Sequence, residues 1–314
     1  MSKVMFVGDI HGKSKQPLGR LLDYNEGLYA KLECIVNFCN NNSVEYIIHL
    51  GDIHDTWNTQ DEWKNRVISI FKQFKGKVYS LVGNHDLASG NESFYYKTCL
   101  RTLELSGALT ILKEPLKLNL SIILPLSLDI KQAKKDFINI IGNTPVGLKC
   151  ICVGHNYYEF GLDKNAGFTE DFFVENDRLG VDVILGHDHT QYPDCTAGNT
   201  TIIRPGSLMR TELSETTIEQ KPRVLLYDDS KLEYTYIEVP HRPINQIYNV
   251  QEYRMHKSTA KALRQISSNI EDISKYVHSD NTVVRCSDAL KELQCPTEEY
   301  EYLRSVYQMC GQEF

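Results

Sequence analysis

Five short apolar runs in this chain each end in glycine, and each glycine is followed at once by aspartate, histidine or asparagine. Lys3 to Val7 leads into Gly8-Asp9-Ile10-His11-Gly12. Tyr46 to Leu50 leads into Gly51-Asp52-Ile53-His54-Asp55, and Val78 to Val82 into Gly83-Asn84-His85-Asp86. Lys149 to Val153 precedes Gly154-His155-Asn156, and Val181 to Leu185 precedes Gly186-His187-Asp188-His189. Runs that are short, apolar or β-branched, and stopped by glycine suit interior strands. A lone Gly-Asp is usually a turn, and a lone histidine at a strand end is usually a satisfied surface or core residue. Repetition changes that reading. Six of the ten histidines (His11, His54, His85, His155, His187 and His189) fall within these segments. Packing alone does not require a glycine before the polar residue each time, whereas a tight turn or a close approach to a ligand does.

The intervening segments carry a helical period. Leu28, Leu32, Ile35, Val36 and Cys39 share one face of a helix ending near residues 40–42, and Trp63, Val67, Ile70, Phe71 and Phe74 share a face before Gly76. Strand, helix, strand, helix, strand implies parallel pairing with crossover helices. Ligand sites in such sheets gather at the carboxyl ends of the strands, where the motifs fall. Beyond them, Thr200 to Ile203, Arg223 to Tyr227 and Tyr234 to Val239 read as an antiparallel stretch closing the domain, over about residues 195–240. A boundary is expected at Pro240-His241-Arg242-Pro243. That divides the chain into a catalytic domain, 1–240, and a helical region, 241–314. In the second region Leu263, Ile266, Ile270, Ile273 and Val277 form a narrow heptad-like seam. Another helix is expected from about Pro296, with Tyr300, Leu303, Tyr307 and Met309 as anchors.

No run approaches the roughly 18 apolar residues of a membrane helix, and the N-terminus does not read as a signal peptide. The nine cysteines include no CxxC pair, which argues for reduced thiols in the cytoplasm. Cys150 and Cys152 are placed on opposite faces of an expected strand. A net charge of −7 argues against a free-standing nucleic-acid binder. Clustered metal-binding carboxylates inflate that count, so the argument is weak.

Aspartate and histidine are ligands for manganese, iron, zinc or cobalt. Asp9 with His11, and His187 with His189, repeat one spacing on extended segments leaving strands. Asp52 is the natural bridging carboxylate, Asn84 offers a neutral oxygen, and His155 completes the set. Counting Asp52 twice gives four protein ligands for each of two ions, with positions open for water and substrate.

The series D-x-H, G-D, G-N-H-D, H and G-H-x-H resembles the calcineurin-like metallophosphoesterases at every step over residues 8–189. The resemblance implies an α/β fold, a two-sheet β-sandwich flanked by helices, here with a small helical C-terminal appendage. It implies one ion on Asp9, His11, Asp52 and His189 and another on Asp52, Asn84, His155 and His187. These would be two divalent metal ions, Mn2+ foremost, with Mg2+, Fe2+ or Zn2+ as alternatives. They would hold a hydroxide for attack on a phosphoester. His85 would be the acid or transition-state stabiliser, and Asp86 would hold its imidazole.

The protein Ser/Thr phosphatases carry Asp-Arg-Gly after the second motif, where this chain has Asp55-Thr56-Trp57. The spacing resembles instead the SbcD-like DNA repair nucleases, bacteriophage versions above all. Arg204-Pro205-Gly206-Ser207-Leu208-Met209-Arg210 looks like the Gly-Ser segment of that branch, followed by Glu212 and Glu215. Many members carry histidine where this chain has Asp55, and the neighbouring His54 is the candidate to replace it as a catalytic residue. That branch implies DNA as substrate and an SMC-like coiled-coil ATPase as partner, with a homodimer possible and no membrane. It implies a cytoplasmic location, the host cytoplasm for a bacteriophage protein. Lys13, Lys15, Arg204 and Arg210 are the expected DNA contacts, with solvated loop charge as the plain alternative for the arginines. A small-molecule phosphoesterase acting on nucleotides or cyclic nucleotides is the competing reading. A non-enzymatic scaffold is disfavoured because no ligand position is lost.

Overall fold

The computed structural model describes residues 2–255 apart from 18, 146, 160–165, 177–179, 212, 214–217 and 252. The 263–277 seam, the helix expected near 297 and both glutamates after Arg210 lie outside them. Residues Met1–Tyr248 form one compact unit.

Strands β1 (Lys3–Val7), β2 (Tyr46–His49) and β3 (Lys77–Ser80) pair in parallel, with helices α1 (Tyr24–Asn41) and α2 (Asp61–Phe71) as the crossovers. The α1 helix starts where the Asp23 side chain accepts the Glu26 N–H, a capping bond that satisfies one of the free amides of the first turn. Helix α3 (Cys99–Leu105) then leads to β4 (Thr110–Ile111), parallel to β3.

The second sheet begins with β5 (Leu116–Lys117) and β6 (Ser121–Pro125), an antiparallel pair that the sequence reading did not anticipate. Helix α4 (Ile130–Asn143) crosses to β7 (Lys149–Gly154). A small ribbon of β8 (Tyr157–Tyr158) and β9 (Gly167–Phe168) precedes α5 (Glu170–Glu175) and β10 (Val181–Leu185). Strands β11 (Cys195–Ala197) and β12 (Thr200–Ile203) complete this sheet, in the order β11-β12-β10-β7-β6-β5. Finally β13 (Arg223–Asp228) and β14 (Glu233–Glu238) return to the first sheet, giving β14-β13-β1-β2-β3-β4. The strands after the last motif therefore do not form a separate antiparallel closure. β12 lies parallel to β10 in one sheet, and β13 lies antiparallel to β1 in the other.

The two sheets face each other with helices outside, a mixed α/β sandwich. Alternate residues of each central strand explain the continuous apolar runs. Val4, Phe6, Ile48, Ile151, Val153 and Ile184 fill the layer between the sheets. Met5, Val7 and Ile47 turn outward into the core that includes Leu28, Leu32 and Trp63 of α1 and α2. Cys150 and Cys152 share a face, as residues two apart on a strand must, which corrects their expected opposition. Both are buried with Phe137 of α4 and Phe173 of α5. Among the described residues no helix is long and apolar enough to cross a membrane.

Candidate metal centre

Both faces of the central strands are filled mainly with apolar side chains, and the residues of the five motifs stand where these strands end. Asp9 and His11 leave β1, Asp52 follows β2, and Asn84 follows β3. His155 leaves β7, and His187 and His189 leave β10. The first four come from one sheet and the other three from its partner. Three of these residues hold left-handed backbone, His11 at φ 48°, Asp52 at 55° and His187 at 79°. Each such non-glycine residue costs about 1–3 kcal/mol, strain that persists only where the surroundings impose it. Two glycines show how tightly the loops meet. A Cβ on Gly83 would lie 2.0 Å from the Asp52 Oδ1, and one on Gly51 (φ 101°) 2.5 Å from the His155 Nδ1.

The donor atoms converge in two groups that share Asp52. In the first, the Nε2 atoms of His11 and His189 are 2.8 Å apart. The His11 Nε2 is 3.7 Å from the Asp9 Oδ2 and 3.6 Å from the Asp52 Oδ2. The His189 Nε2 is 3.5 Å from the Asp9 Oδ2. In the second, the His155 Nε2 stands 3.1 Å from the Asp52 Oδ2. It also lies 3.2 Å from the Asn84 Oδ1 and 3.2 Å from the His187 Nδ1. A proton on one nitrogen satisfies one such contact. A cation at the centre of each group satisfies all of them, so the donor set fits two divalent ions.

Outer partners aim the rings. The His155 Nδ1 lies 2.8 Å from the Leu50 carbonyl. A carbonyl only accepts, so Nδ1 carries a proton, and Nε2 is the nitrogen that can offer a lone pair to an ion once its own proton has left. The His189 Nδ1 meets the Thr211 hydroxyl at 3.1 Å, and the Tyr157 ring lies 3.9 Å from the His187 ring, centre to centre. Residue type alone did not single out Thr211 or Tyr157. The one available signal was that Tyr157 stands two residues after His155.

Electrostatics follow from burial and crowding. Burial pushes the Asp9 carboxyl up, but His11, His155 and His189 outweigh it and hold the group well below the usual carboxylate range. Burial likewise opposes ionisation of Asp52, and His155 and His11 overcome it. Burial pulls His155 down, yet the charge and hydrogen bond of Asp52, with help from Asp9, raise it to about 9. Burial, and then the charge on His155, press His187 down to about 4.

Several expected roles change. The Asp86 carboxylate does not hold His85. It accepts the backbone N–H groups of Asp52 (2.9 Å), Gly83 (3.0 Å) and His54 (3.1 Å), and its Oδ1 lies 3.1 Å from the His54 Nδ1. His85 instead turns its Nδ1 onto the Asp55 carbonyl at 2.8 Å, with its ring exposed and 4.9 Å from that of His11. His54 is fully buried between Asp86 and the edge of Trp63, which keeps it from substrate. It does not take the place of a histidine at Asp55.

The expected DNA contacts also divide. Lys13 pairs with Asp55 at 2.5 Å. Arg210 is buried, and its guanidinium donates to the carbonyls of Gln220 and Arg242, so it is a strut of the fold and not a rim residue. Lys15 is exposed. Arg204 stacks on Tyr192 at 3.9 Å and lies 5.1 Å from the Tyr158 ring.

The profile of the family described as Calcineurin-like phosphoesterase matches residues 2–191, more than half of the chain. The chain belongs to that family. This calcineurin-like phosphoesterase is accordingly a metal-dependent phosphoester hydrolase, and the two groups sharing Asp52 agree with the family's use of two metals. No curated protein matches it significantly. Among solved structures, a dimetal phosphatase from Danio rerio superposes with a TM-score of 0.51 at 12% identity, over 76% of this chain and 99% of that one. A protein described as a 5'-nucleotidase from Staphylococcus aureus gives a TM-score of 0.48 at 12% identity. That match covers 77% of this phosphoesterase, which spans about half (54%) of the longer protein. At such identities the likeness is one of fold alone.

Proposed function

We propose that this phosphoesterase is a DNA nuclease of the SbcD-like kind, cutting phosphodiester bonds with two divalent ions, manganese foremost. In this reading it is the nuclease subunit beside an SMC-like coiled-coil ATPase, with the region 241–314 as the docking part. One observation carries the choice of a polymer substrate. The catalytic edge reaches open surface, with His85 exposed and the His189 side chain 30% exposed. A small-molecule site more often encloses its ligand. A second support is the Gly206-Ser207 segment, which lies directly behind the ligands. Ser207 donates its N–H to the His189 carbonyl at 3.1 Å and Leu208 to that of Asp9 at 2.9 Å.

Two bound divalent ions supply positive charge for a phosphoryl oxygen and lower the pKa of water. The protein's part is to fix and orient. Asp52 sits between both groups, with its Oδ1 accepting the His85 N–H at 2.9 Å. That bond ties the position of His85 to the bridging carboxylate. With its Nδ1–H donated in a hydrogen bond to the Asp55 carbonyl, the ring is held so that Nε2 is the nitrogen left to serve the leaving oxygen.

The small-molecule reading keeps one observation in its favour. Lys13 and Arg210 are already engaged, so the rim carries less free positive charge than the sequence implied. Incubation with Mn2+ and labelled DNA, in parallel with bis(p-nitrophenyl) phosphate, separates the two. Cleavage of DNA that stops on chelation is the expected result. Hydrolysis of the small diester with DNA left intact would move the protein to the second class.

A further inference from the structure

We infer that the short 3-10 helix Glu92–Lys97 is a stacking platform that receives the unpaired bases of a single DNA strand at the mouth of the metal centre. The inference rests on the nuclease reading and adds the element that would grip the substrate.

Position is the first argument. Gly90 and Glu92 line the same cavity, of about 560 Å³, as Asn84, His155, Tyr157 and His187. The segment therefore starts in the wall of the metal site. Anchoring is the second. The Asn91 side chain accepts the Ser93 N–H at 2.9 Å. The Tyr95 hydroxyl donates to Glu104 at 2.9 Å, and its ring packs against the core of the first sheet. At the far end the Thr98 N–H reaches the Tyr95 carbonyl at 3.1 Å. A segment held this way presents its other side chains in fixed positions.

Those side chains are Phe94, 38% exposed, and Tyr96, 67% exposed. The Lys97 ammonium lies 4.9 Å from the first ring centre and 5.3 Å from the second. Trp57, also 37% exposed, is on a loop joined to the end of the segment, since its carbonyl accepts the Cys99 N–H at 2.9 Å. The same loop supplies the Asp55 carbonyl that orients His85.

Leaving large rings in water forgoes the stabilisation that burial brings, so several together at one rim point to something that covers them. The mixture identifies the occupant. Aromatic faces stack on bases whatever the sequence, and an interleaved lysine meets the phosphates. A protein partner fits less well, because interface cores are depleted in lysine. Bases of an intact duplex are already stacked on one another, which leaves a single strand as the match.

The test uses the full chain with Phe94→Ala and Tyr96→Ala combined, beside a Phe94→Tyr, Tyr96→Phe pair that keeps both rings. Two quantities are read: the affinity for a fluorescent oligothymidylate, and the ratio of kcat/KM on that oligonucleotide to kcat/KM on bis(p-nitrophenyl) phosphate. The alanine pair should lower both by about tenfold or more, and the aromatic pair should restore them. Wild-type DNA affinity in the alanine pair overturns the platform while leaving the nuclease reading intact. So does a parallel fall on both substrates, which would signal a disturbed metal site. Unchanged DNA binding with lost ATPase association would make the patch a protein interface. Failure of the wild type to bind DNA at all removes the nuclease reading itself.

Discussion

His85 follows the ligand position Asn84 directly in the chain, and its Nδ1 turns onto the Asp55 carbonyl while the ring stays beside His11. Substituting His85→Asn should leave two equivalents of Mn2+ by elemental analysis and lower kcat/KM by about 10²–10⁴-fold. A fall in metal content would instead make His85 a ligand, a geometry its position near His11 and Asp52 permits. His155 allows a second expectation. In the metal-free protein it keeps a proton up to about pH 9. An ion entering the Asp52, Asn84, His155 and His187 group must displace that proton. Apparent affinity should therefore rise about tenfold per pH unit toward pH 9 and level off above it. Calorimetry in buffers of different ionisation enthalpy would show one proton released as that group fills below pH 9; a pH-independent affinity would contradict it. At this scale the side chains that converge are legible in the sequence, but not their neighbours. Asp, His and Asn after strand-ending glycines are visible in one dimension. Whether Arg210 points at substrate or back onto the Gln220 carbonyl depends on chain that is 10 residues away and folded round it.

Asp86 shows what the loops contribute as elements. One carboxylate collects backbone amides from the end of β2, at Asp52 and His54, and from the end of β3, at Gly83. Asp86→Ala would leave three buried backbone donors, and the His54 Nδ1, without their acceptor, at about 1–3 kcal/mol for each backbone group. The expected loss in urea unfolding is about 3 kcal/mol or more, with weaker metal binding because the backbone of Asp52 is freed. An unaltered unfolding midpoint would show that other acceptors take its place. The motif segments β1, β2, β3, β7 and β10 are legible because most of each is buried, which writes a short, mainly apolar run. The two-residue β4 and β5 are too short to leave a pattern, and α4 leaves only the sparse one of Ala133, Phe137 and Ile141, which mark its buried face. Pairing was less readable still, since nothing in the run Thr200 to Ile203 tells which sheet it joins.

For the whole molecule, the compact unit ending at Tyr248 carries every donor of the centre. A chain truncated after Tyr248 should keep metal-dependent hydrolysis of bis(p-nitrophenyl) phosphate. It should no longer co-purify with a coiled-coil ATPase that the full chain retains. Persistent co-purification would place the partner surface on the sandwich. The division of the donors between two sheets also bears on how the protein is made. Each four-donor set draws on both sheets, and the first set lacks His189 and the second His187 until those residues exist. On a ribosome the nascent chain thus exposes Asp9 and His11 long before a complete set can assemble. Loading must wait for the second sheet to fold, so the choice of metal falls to whatever ion is free around the finished domain, not to conditions during synthesis.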